Sequence, residues 1–70
     1  MKYVYVIEKG EDGSVSAYVP DLPGCTTSGD SIDEVRQTIK DAVATYIESL
    51  RQHNEPVPPP NSTVDVVEAA

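Results

Sequence analysis

The chain has 70 residues, of which 12 are acidic and 5 basic, for a formal charge of −7, with one cysteine and one histidine. That length holds one small domain with a thin core. A lone cysteine excludes an intrachain disulfide, one cysteine with one histidine is too few for a structural zinc site, and five scattered basic residues do not build the electropositive face that phosphates require.

Domains of this size usually need a disulfide, a metal or self-association, so a dimer or higher homo-oligomer is the expectation here. The acidic balance suits a basic protein partner, because charge complementarity speeds association and rejects wrong partners. The chain lacks both an apolar run near 18 residues and a charged start leading into one. The expected setting is cytoplasmic, without a membrane.

Residues 2–8, KYVYVIE, are β-branched and aromatic almost throughout and predict a strand apolar on both faces, Tyr3, Tyr5 and Ile7 on one and Val4 and Val6 on the other. KGEDGS at 9–14 carries an Asp-Gly hairpin signal. Residues 15–19, VSAYV, alternate as the second arm. Pro20 and Pro23 then lack amide donors and hold the residues before them extended, so the chain must turn. Pro23-Gly24 fits the centre of a type II turn. Residues 25–28 predict a short third strand antiparallel to the second.

Ser31 with Glu34 three residues on reads as a capping box, the hydroxyl accepting from an early helix amide and the carboxylate reaching back to the cap residue's N–H. From there to about Gln52, Ile32, Val35, Ile39, Ala42, Val43, Tyr46, Ile47 and Leu50 draw one apolar stripe. Such a helix is roughly 33 Å long against about 17–23 Å for the strands. Its far end, Tyr46, Ile47 and Leu50, is therefore the candidate self-association surface. Asn54 suits a left-handed cap, and the prolines at 56 and 58–60 forbid continuation. TVDVV at 63–67 has strand composition and predicts a terminal strand. The expected architecture is α+β, in the order β-β-β-α-β: an antiparallel sheet of three to four strands with one long helix on one face, in a single domain over 1–70.

With these pieces placed, the chain resembles the HicB antitoxin family over nearly its whole length. The resemblance rests on the tyrosine-rich first strand, Asp12-Gly13, the second strand ending at Val19, the run Pro20-Asp21-Leu22-Pro23-Gly24-Cys25, Ser28-Gly29-Asp30-Ser31, Glu34, and the prolines after the helix. It implies a reduced ribonuclease-H-like fold and a role as a type II antitoxin. The implied partner is a small basic HicA-type toxin, a ribonuclease of mRNA, neutralised by direct binding. Family members often carry a C-terminal helix-turn-helix or ribbon-helix-helix domain. This sequence stops short of one, so direct nucleic-acid binding is not expected of it. The alternative is a solitary HicB-like oligomerisation or scaffold protein, and behind it a residual metal-dependent nuclease.

The nuclease reading needs clustered carboxylates, one of them in the middle of the first strand. Val4, Tyr5 and Val6 stand there, while Glu8 lies at its end and Asp12, Asp21 and Asp30 in turns. No enzyme activity and no cofactor are expected. His53 reads as a helix-end residue, Cys25 as a small apolar packing residue, and Pro58-Pro59-Pro60 as a stiff connector. For the partner interface, the candidates are the acidic loop residues Glu11, Asp12 and Asp21, with Tyr18 and Leu22 as apolar anchors. The four tyrosines could share an aromatic sheet surface, better suited to packing or a protein interface than to nucleic acid.

Overall fold

The computed structural model describes all 70 residues and orders them as β1 (Val6–Lys9), β2 (Val15–Tyr18), β3 (Thr26–Gly29) and α1 (Ile32–Gln52). The sheet is antiparallel in the order β1-β2-β3, with Val6 opposite Tyr18, Ile7 opposite Ala17 and Glu8 opposite Ser16, and with Tyr18 opposite Thr26 on the other side. α1 lies across β2 and β3. Paired residues share a face. Ile7, Ala17 and Thr27 therefore look toward the helix, and Val6, Tyr18 and Thr26 look away from it.

The core consists of seven buried residues: Val15, Ala17, Val19, Leu22, Cys25, Val35 and Ile39, with Tyr3, Tyr5, Ile7 and Tyr46 packed at its margin. One strand (β2), one loop and two turns of one helix supply all of it. The turn between β2 and β3 is stitched by three backbone hydrogen bonds: Leu22 N–H to the Val19 carbonyl (3.1 Å), Cys25 N–H to the Leu22 carbonyl (3.0 Å) and Val19 N–H to the Cys25 carbonyl (3.1 Å). Pro23 and Gly24 hold the centre of the middle one, and Gly24 supplies φ +82°, the left-handed value a type II turn demands.

The helix starts where the cap residues place it. Ser31 Oγ accepts from the Glu34 N–H at 3.1 Å, but the Glu34 carboxylate accepts from the Asp30 N–H, at 3.1 Å, rather than from Ser31's own. Room for that displaced reach comes from Gly29, where a Cβ would stand 2.9 Å from the Glu34 carboxyl carbon. At the other end Asn54 takes φ +55°. Its N–H bonds the Arg51 carbonyl (3.2 Å), and Glu55 N–H bonds that of Leu50 (2.9 Å), the paired geometry of a Schellman stop. His53 Nδ1 lies 2.7 Å from the Ser49 carbonyl, so its ring closes the last turn.

Two expectations are corrected. Residues 63–67 form no strand, since nothing in the chain pairs with them: Val64, Val66 and Val67 are 63%, 89% and 91% exposed. The first strand is ladder-paired only from Val6 to Lys9, because β2 ends at Tyr18 and leaves residues 2–5 extending past their partner.

Candidate functional site

The side of the sheet away from α1 has no covering element. It carries two rows, Val6–Tyr18–Thr26 and Glu8–Ser16–Ser28, around a shallow depression of about 680 Å³ lined by Glu8, Ser16, Tyr18, Thr26 and Ser28. Val4 and Val6 are half-buried and Tyr18 is 39% exposed, so an apolar, aromatic strip runs beside a polar one. Tyr18 is thus an exposed aromatic with a free hydroxyl end, the residue type enriched at protein interfaces. Tyr3 and Tyr5 face the helix side instead, and the four tyrosines do not share one surface. The reason is register: Ile7 opposite Ala17 fixes one set inward and sends Tyr18 outward.

Past the Glu8 end of this face, the β1–β2 loop presents Glu11 and Asp12, both exposed. Asp12 Oδ1 accepts from the Ser14 hydroxyl (2.7 Å) and the Ser14 N–H (3.0 Å), and the hydroxyl chiefly holds its carboxyl below the ordinary value of 3.8. Its second oxygen stays open to a partner. The loop's charge is therefore fixed in place as well as in sign.

Asp21 is differently employed. Oδ2 accepts from the N–H of Asn61 (3.0 Å) and Ser62 (2.9 Å), and Oδ1 from the Ser62 hydroxyl (2.9 Å), clasping the chain after the proline run. The Ser62 N–H is the main cause of its lowered pKa. Asp21 also lies off the opposite end of β2 from Asp12, roughly 20 Å away at about 3.4 Å per residue. The two acids do not make one patch. Leu22, expected as an apolar anchor, is 0% exposed and belongs to the core. Its two flanking prolines mark a loop, and the stitched turns swing the side chain inward.

At the far end of α1, Tyr46 donates from its hydroxyl to the Pro23 carbonyl at 2.9 Å and packs at the core margin, and Ile47 and Leu50 are half-buried. The helix end is thus partly occupied by its own chain. Burial pushes the Cys25 thiol up, the reverse of what a nucleophile needs. No group of three or more carboxylate, histidine or cysteine side chains is close enough to hold a metal ion, and no helix is long and apolar enough to cross a membrane. Of the 12 acidic residues, one is ion-paired, Asp33 with Arg36 at 3.8 Å on the helix surface. The remaining carboxylates have no cationic partner within the chain.

The family described as "HicB_like antitoxin of bacterial toxin-antitoxin system" matches residues 3–70. The chain belongs to the HicB-like antitoxin family. Among its relatives, the UPF0150 protein Ta0767 of Thermoplasma acidophilum is 46% identical over 69 residues, covering 99% of this chain and all of that one. Antitoxin HicB 1 of Photorhabdus laumondii is 33% identical over 60 residues, 86% of this chain and 39% of its own length. A chain of the HicA3 and HicB3 toxin-antitoxin complex superposes on this HicB-like fold with a TM-score of 0.68 at 31% identity, covering 86% of this chain and 70% of that one. The helix on three antiparallel strands is therefore shared with that chain, and is reached here with a buried core of seven residues.

Proposed function

We propose that this HicB-like chain acts by binding. It neutralises a small, basic, HicA-type ribonuclease stoichiometrically, contributing no chemistry of its own. The observation that carries this reading is the likeness to a chain of the HicA3 and HicB3 complex. The charge of −7, almost wholly unpaired within the chain, supports it, because steering by opposite charge accelerates encounter with a basic partner. The contact surface is the uncovered sheet face, with Tyr18 as its apolar anchor and Glu8, Glu11 and Asp12 as its acidic margin. Asp21 and Leu22 act behind that surface, holding the loop and the core. The chain works as a homo-oligomer in the cytoplasm, and its βββα order is a reduced ribonuclease-H-like fold.

The test is calorimetric titration with a catalytically inactivated small basic ribonuclease encoded beside this chain, at low and high salt. Tight binding that weakens with salt, and weakens at least tenfold on Tyr18→Ala or on combined Glu11→Lys and Asp12→Lys, is expected. A folded chain that binds at neither salt refutes the inhibitory role. Binding untouched by these substitutions refutes the surface.

A further inference from the structure

The free edge of β1 and the tail beyond Ser62 complement one another. β1 is an outer strand of the sheet, and its extended lead-in, residues 2–5, has no neighbour in the ladder on either side. An edge of this kind presents a row of unused N–H and C=O groups. Beside it, between the lead-in and α1, lies an apolar groove of about 260 Å³ lined by Met1, Tyr3, Tyr5, Ile39, Lys40 and Val43. This is the space that a further strand next to β1 would roof with its side chains. Ile39 is at its floor, so the groove opens directly onto the core.

The tail has the opposite properties. Asp21 fixes its root through Asn61 and Ser62, and Tyr3 donates its hydroxyl to the Pro58 carbonyl, so the root is held at the Tyr3 end of the sheet. Beyond Ser62, the one hydrogen bond made is from the Val66 N–H to the neighbouring Asp65 side chain. Thr63-Val64-Asp65-Val66-Val67 alternates so that Val64 and Val66 share a face, and three exposed valines are concentrated in it. Charge also matches. The tail carries Asp65 and Glu68, whereas Lys2 opens the lead-in to β1 and Lys40 stands in the groove wall, Glu8 and Lys9 offsetting one another at the strand's far end. The other sheet edge, β3, is TTSG and runs into Asp30, with neither apolar side chains nor positive charge to offer.

We propose that the tail of one copy adds as a strand to the β1 edge of a second copy, seating Val64 and Val66 over the Tyr3–Tyr5–Val43 groove, and that the exchange is reciprocal. The occupant is a second copy because, within one chain, the groove is open and the tail beyond Ser62 bonds to nothing but itself, so that a twofold arrangement fills both grooves and pairs both tails at once. It also supplies what a seven-residue core lacks. This inference stands apart from toxin binding, since the groove is on the helix side of the sheet and the proposed toxin surface is on the other.

Light scattering of the full chain gives the first readout: a dimer for the wild type, and loss of the dimer on Val64→Asp with Val66→Asp, with far-UV circular dichroism retained because neither valine is in the core. The second readout places a spin label on the thiol introduced by Val67→Cys, Cys25 being shielded by burial, and mixes that chain with an isotopically labelled one. Broadening of the Tyr3–Ile7 amides of the other chain supports exchange. A monomer whose own label broadens those amides overturns it in favour of closure within one chain. A dimer that survives the double substitution overturns it too and moves the contact to the Ile47–Leu50 end of the helix. Should the double substitution unfold the protein, the label experiment, in which the tail keeps Val64 and Val66, decides alone.

Discussion

Leu22→Ala separates a core residue from a contact residue. The side chain is wholly buried, and both backbone groups of Leu22 are already committed within the turn, so the substitution acts through packing alone. Removing three carbons at about 0.8 kcal/mol each costs about 2.4 kcal/mol. The residual cavity, at about 24 cal/mol per Å³, raises the total to about 3–4 kcal/mol. A 70-residue chain at about 0.05–0.15 kcal/mol per residue holds about 3.5–10 kcal/mol in all. One alanine thus removes at least about 30% of the stability. In thermal melts at fixed chain concentration the expected fall is roughly 12–30 °C, from about 4–8 °C per kcal/mol in a domain of this size. Leu22→Met keeps the volume and costs less than about 1.5 kcal/mol. A Leu22→Ala chain that loses under about 1 kcal/mol in isolation, yet no longer binds the ribonuclease, would refute the core assignment.

Four further outcomes follow from the same structure. The folded state lowers the Asp21 pKa below 3.8, so at low pH the unfolded chain binds more protons; the clasp's contribution is whole above that value and is lost as pH falls through the folded one. Acid titration followed by the Ser62 amide shift should show this, and Asp21→Asn should abolish the transition. Gly24→Ala meets no neighbouring atom, so its cost is that of a positive φ alone, about 1–2 kcal/mol in urea unfolding, and Gly24→Asn costs less. Gly29→Ala must displace the Glu34 carboxylate from Asp30; combined with Glu34→Ala it should cost clearly less than the sum of the singles, and additivity in that cycle would contradict the geometry. The Cys25 thiol, buried and with a raised pKa, should react with a disulfide reagent at pH 8 far more slowly in the native chain than in urea.

Local chemistry carried most of the architecture. The turns, both helix ends and the apolar stripe depend on residues near in sequence, and Gly24, Ser31 and Asn54 do what their side chains or lack of one dictate. Pairing is another matter. TVDVV has the composition of a strand, but a strand exists only against a neighbour, and its own chain supplies none to it. Leu22 lies inside for a related reason: proline on both sides signals a turn, while the direction of the side chain is settled by Val19 and Cys25 bonding across it. A large apolar residue between two prolines was the available sign. The separation of Asp12 from Asp21 likewise needed the length and direction of β2. Nothing in the spacing of Asp21 announced Asn61 and Ser62, 40 positions away.

The unpaired stretch after Ser62 bears on how long the protein survives. Proteases and unfolding machines engage extended, unbonded chain, and a core of seven residues resists little once they pull. Occupying the tail would withdraw that handle. The chain's half-life then becomes a readout of its own concentration: short when copies are few and tails are free, longer once they associate. Limited proteolysis across a dilution series should show cleavage beyond Ser62 rising as the protein is diluted, and a rate indifferent to concentration would break the connection.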